Sequence, residues 1–108
     1  MVKNESARGE PDVARPTEIA REVARLARVV FGDNAEVIWF GSWPQGKALA
    51  HSDIDLAVST GAPIPPERMV LLQEAVDELA TLYQLDIIDL NSVGPALREE
   101  ILKHGKRL

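Results

Sequence analysis

The 108-residue chain contains no cysteine, which excludes disulfides, thiolate-held metals and cysteine nucleophiles and fits a reducing compartment. Long apolar runs are missing as well. Nothing approaches the roughly 18 consecutive apolar residues of a bilayer-spanning helix, and the first residues lack the apolar centre of a secretory signal. A cytoplasmic location without membrane attachment is expected. Basic residues are in the minority, 12 Lys and Arg against 17 Asp and Glu, for a net charge of −5. With that balance a broad grip on DNA or RNA phosphates is not expected, so long nucleic acid is a poor candidate partner. The two histidines, His51 and His104, have no zinc-like spacing and are expected at the surface or in loops.

What remains is the balance of a globular protein, 45% hydrophobic and 27% charged, in a chain long enough for one compact core. Residues 1–15 mix charged, polar, Gly and Pro positions with little apolar content and read as a flexible leader; residues 16–108 read as a single domain. From Pro16, Ile19, Val23, Leu26 and Val30 recur at helical spacing up to Gly32. Val37 to Phe40 is a short β-branched and aromatic run that reads as a buried strand. In a second strand Ile54, Leu56 and Val58 alternate with Asp53, Asp55 and Ala57, which places the aliphatic residues on one face and the carboxylates on the other.

After a Pro-rich break, Met69, Leu72, Val76, Leu79 and Tyr83 mark a long helix with Pro66 in its first turn. Leu85 to Leu90 reads as a third strand. The last helix is expected from Pro95 to Gly105, with Lys103, Lys106 and Arg107 complementing its dipole as a helix terminus. The order predicts an α/β (α+β) sandwich: a small mixed sheet, helices covering one face, and a site on the open face.

The chemistry concentrates between the first two strands. Asp53 and Asp55, at i and i+2 on a strand, point the same way and can share a hard cation such as magnesium. Solvated strand faces also carry such pairs, so the pair alone decides little. Upstream, Gly41-Ser42 follows a strand directly; glycine allows close approach of backbone to a ligand, and the amides and Ser42 hydroxyl can donate to phosphate oxygens. An ordinary turn would look the same. Gly41 to Ala48 also comes within one residue of a P-loop, but Ala48 lacks the hydroxyl that would meet magnesium and the chain is too short for that fold.

The combination of strand, Gly41-Ser42, ten intervening residues and Asp53-Ile54-Asp55 resembles the DNA polymerase beta-type nucleotidyltransferase superfamily, and most closely its minimal nucleotidyltransferases. The resemblance runs from Pro16 to Leu108. It implies a polymerase beta-like fold, triphosphate contacts at Gly41 and Ser42, and two magnesium ions held by Asp53 and Asp55 with ATP as substrate. It also implies a third carboxylate on the next strand. Asp86 matches that position, early in the strand after an apolar residue, whereas Asp89 near the strand end reads as a cap of the following turn. An arginine often follows Gly-Ser in the family; here Trp43 and Gln45 stand there instead, and Lys47 is either a substitute charge or a solvated loop residue. Trp39 is expected in the core, and Trp43 either packs against a helix or stacks on a base.

Many minimal nucleotidyltransferases act as antitoxins beside a helical HEPN-domain toxin, some by transferring AMP to a toxin tyrosine. The resemblance therefore implies that activity and a hetero-oligomer with such a toxin. The alternatives are a non-catalytic antitoxin that works by binding alone and nucleotidyl transfer to a small molecule such as an aminoglycoside antibiotic. Enzymes of the latter kind carry a further helical domain.

Overall fold

The structure is a computed structural model that describes residues 12–108. The expected leader lies outside the described residues up to position 11, and helix α1 (Ala14–Phe31) starts two residues before Pro16. Four strands, β1 (Glu36–Phe40), β2 (Ile54–Ser59), β3 (Leu85–Asp89) and β4 (Lys106–Arg107), form one mixed sheet in the order β3-β2-β1-β4. β1 pairs antiparallel with β2 and with β4, and β2 pairs parallel with β3. The parallel pair needs a crossover, which helix α2 (Pro66–Asp77) supplies. Helix α3 (Pro95–His104) follows a 3₁₀ turn at Leu90–Ser92.

The alternation in β1 and β2 sorts their side chains cleanly. Val37, Trp39, Ile54, Leu56 and Val58 are buried on one face with Ile19, Val23 and three alanines of α1 and with Leu72 and Val76 of α2. Ala20, Ala24 and Ala27 are almost fully covered; their small side chains let the helix axis sit close to the sheet. Gly32, at φ 107°, ends α1 with its amide donating to the Arg28 carbonyl at 2.9 Å.

Helix α2 is shorter than its apolar spacing suggests. It stops at Asp77, and Leu79 and Tyr83 reach the core from an irregular segment instead. The Thr81 hydroxyl accepts from the Tyr83 amide at 3.0 Å, a local side-chain turn that competes with the helical hydrogen bond. Two helices cover one face as expected, but α3 lies on the other: its Ile101 is buried with Ile38, Ala57 and Leu90.

The chain end also departs from the expectation of a helix terminus. Lys106 and Arg107 form the short edge strand β4, pairing with Trp39 and Ile38 of β1, and the Leu108 amide donates to the Val37 carbonyl at 2.9 Å. Two residues carry no readable period, so this strand exists only because β1 offers an open edge. Gly105 makes the return possible: a Cβ there would collide with the Ile38 side chain and lie 2.6 Å from the Ile101 carbonyl oxygen. Urea unfolding is expected to show Gly105→Ala losing about 1–3 kcal/mol through this overpacking; stability equal to wild type would mean that α3 does not approach β1 this closely.

Candidate active site

The strand register brings the carboxylates together. Asp55 on β2 lies opposite Asp86 on β3, and opposite Phe40, the residue before Gly41, on β1. Asp53 stands two residues before Asp55, at the entrance to β2. All three therefore belong to the sheet face away from α1 and α2, at the end where β1 finishes and β2 and β3 begin. Asp53 and Asp86 are exposed and Asp55 is half-buried. Burial, then the Asp86 charge and then that of Asp53, push the Asp55 carboxyl up to about 6.

Asp89 faces the opposite side and is spoken for. Its carboxylate, 8% exposed, accepts from the Ile64 amide at 2.7 Å, the Asn91 amide at 3.0 Å and the Ser92 hydroxyl at 2.6 Å. These bonds cap the 3₁₀ turn and tie it to the loop before α2. Such saturation makes Asp89 a structural carboxylate.

Gly41 sits against Asp55. Its φ is 87°, and a Cβ at this position would collide with the Asp55 carboxylate oxygen, so only glycine allows both the left-handed turn and the close approach. Beyond it, residues 42–46 curl into tight turns, with Lys47 N–H donating to the Ser42 carbonyl at 2.9 Å and Gly46 N–H to the Trp43 carbonyl at 3.1 Å. Among the described residues the amides of Ser42 and Trp43 donate to no protein acceptor, which leaves them available to an anion. Lys47 is exposed.

Trp43 is buried, its ring 6.4 Å from that of Trp39 and edge-on to Tyr83 at 6.1 Å. It packs inward and does not face the carboxylates; its position in place of a basic residue was the available signal. His51 and His104 are exposed, and His104 only approaches Glu100 at 3.9 Å. A cavity of about 500 Å³ lined by Arg15, His51 and residues 80–83 contains none of the three carboxylates. With Asp53 and Asp86 exposed and Asp55 half-buried, the carboxylates lie at the surface of the sheet.

Comparison with known proteins identifies the fold and the family. The family model for polymerase beta nucleotidyltransferases matches residues 32–108. No curated protein matches the chain. Among solved structures, a minimal nucleotidyltransferase is 25% identical with a TM-score of 0.69, the match covering 90% of this chain and 96% of that one. A toxin–antitoxin structure determined with AMP-PNP is 26% identical with a TM-score of 0.65, covering 82% and 70%. A complex of a tri-AMPylated HEPN toxin with an MNT antitoxin from Shewanella oneidensis shares the fold at 21% identity and a TM-score of 0.63, covering 84% and 69%. With the family match extending over β1, β2, β3 and the turn between them, this chain belongs to the polymerase beta nucleotidyltransferase family.

Proposed function

We propose that the chain transfers a nucleoside monophosphate, AMP from ATP, to a hydroxyl acceptor, and that the acceptor is a tyrosine of a cognate HEPN-domain toxin which the chain thereby neutralises. The observation that carries the chemistry is the register pair Asp55 and Asp86 with Asp53 beside them and the Gly41-Ser42 turn against Asp55. The toxin as acceptor is supported by the similarity to a toxin–antitoxin protein solved with AMP-PNP.

The donor set fits magnesium. Among the described residues no three ligating side chains form a ready-made cage, but magnesium needs only one or two carboxylates and completes its shell with waters and phosphate oxygens. Asp55, crowded by two carboxylates, gains most from a nearby cation. Held by one or two of Asp53, Asp55 and Asp86, magnesium would offset the charge that builds on the phosphates during transfer.

The chain's own residues account for the rest. The free amides of Ser42 and Trp43 and the Ser42 hydroxyl hold the triphosphate, and Gly41 lets it approach Asp55. The acceptor oxygen forms a bond to the α-phosphorus as the bond to pyrophosphate breaks in line. Asp86, exposed on β3 opposite Asp55, takes the hydroxyl proton. The open site suits a macromolecular acceptor, because a partner's surface completes the enclosure that so small a sheet lacks.

Incubating the chain with labelled ATP, magnesium and its cognate HEPN-domain toxin should label the toxin. Asp53→Ala and Asp55→Ala should each reduce labelling by at least about a hundredfold, the scale of losing a principal electrostatic group. Undiminished labelling by the double variant would sink the catalytic assignment, and a wild type that blocks the toxin without labelling it would establish neutralisation by binding alone.

Stability should move the other way. The Asp55 carboxyl is raised in the fold, from 3.8 to about 6, so its contribution disfavours folding once it ionises: the penalty is absent below about pH 4, grows between 4 and 6, and is complete above 6. Asp55→Asn is therefore expected to raise stability at pH 7.5 by on the order of 1 kcal/mol, after discounting for its partial exposure. That gain should vanish at pH 4 in metal-free urea titrations; an equal gain at both values would show that charge is not its cause.

A further inference from the structure

The tryptophan that follows Gly41-Ser42 is placed to do more than fill the core. Its indole N–H donates to the backbone carbonyl of Ser52 at 3.0 Å, and Ser52 is the residue immediately before Asp53. Ser52 is held from its other sides as well: its hydroxyl accepts from the Leu49 amide at 2.7 Å and its own amide donates to the Leu49 carbonyl at 3.0 Å. The Trp43 ring meets Trp39, two residues before Gly41, and Tyr83, three residues before Asp86. One buried side chain thus touches the segments that lead into the phosphate turn, the first aspartate and the third.

We propose that Trp43 is a positioning residue whose indole N–H ties the Gly41-Ser42 turn to the Ser52–Asp53 junction and so sets the distance between the phosphate-binding amides and the Asp53 carboxylate. This rests on the nucleotidyl-transfer reading above. Without the tie, residues 47–53 form a loop whose hydrogen bonds are mainly internal, and the entrance to β2 is free to shift against the turn. Displacements of about 1 Å between groups that must grip one ligand carry large penalties in transfer reactions.

The structure contains its own control. Trp39 is as deeply buried as Trp43, 4% against 6% exposed, but its indole nitrogen has no hydrogen-bond partner among the described residues. Trp39→Phe therefore removes ring area and an N–H that bonds to nothing, whereas Trp43→Phe removes comparable area and the tie. Core packing alone predicts similar behaviour for the two variants.

Amide hydrogen exchange of the full chain, without nucleotide or metal, should show the Leu49 and Ser52 amides exchanging about tenfold faster in Trp43→Phe than in wild type, the size expected for one lost part-buried hydrogen bond. In Trp39→Phe these amides should exchange as in wild type. In the toxin-labelling reaction, the magnesium concentration for half-maximal rate should rise about tenfold in Trp43→Phe and stay unchanged in Trp39→Phe; a loss of folded protein would lower the rate without moving that concentration. Equal behaviour of the two variants in either measurement would overturn the proposal. Should the wild type label nothing, the nucleotidyl-transfer reading alone fails, and the exchange comparison still decides whether the tie exists.

Discussion

Asp55 and Asp86 occupy partner positions on neighbouring strands, with Asp53 close by, an arrangement that like-charge repulsion opposes. The opposing force comes from the reverse side of the same strands, where Ile54, Leu56 and Val58 are fully buried under α1 and α2. Each such side chain contributes about 1.5–3 kcal/mol on burial, while repulsion between two partly solvated carboxylates amounts to about 1–4 kcal/mol. Burial wins, and since residues alternate along a strand, burying one set obliges the other set to face together. The Asp55 carboxyl is raised first by its burial and then by the charges of Asp86 and Asp53.

The rest of the fold serves this constraint. The two alanine-lined turns of α1 keep the helix close to the sheet, Asp89 ties the strand end to the loop ahead of α2, and Gly41 lets the turn after β1 approach Asp55 where any larger residue would strike it. Helix α3 and β4 secure the β1 side of the sheet without covering the carboxylates. Asp53 and Asp86 thus stay exposed and Asp55 half-buried on this nucleotidyltransferase's sheet.

Much of this was legible in the residues. The Gly41-Ser42 turn follows from a glycine placed directly after a strand, and the Asp53-Ile54-Asp55 alternation from strand periodicity, which assigns faces without knowledge of neighbours. Periodicity set Asp86 and Asp89 on opposite faces, and the preference for Asp86 came from the resemblance to nucleotidyltransferases. Where the reading missed, longer-range packing was responsible. Leu79 and Tyr83 keep helical spacing beyond the helix, since the core accepts apolar side chains from an irregular segment as readily as from a turn of α2. Lys106 and Arg107 resemble a basic helix end but are drawn into pairing by the free edge of β1.

By itself the sequence determined which residues face alike: the apolar stripe of α1, the two sides of β2, and the glycine at a turn that needs positive φ. These are local consequences of backbone geometry and side-chain period. Only the tertiary structure decided which faces meet. The parallel register of β3 on β2 sets Asp86 beside Asp55, the inward rotation of Trp43 joins its N–H to Ser52, and the return of the chain end adds a fourth strand. Each depends on contacts between segments distant along the chain, whose free energy comes from burial and pairing that no local pattern encodes.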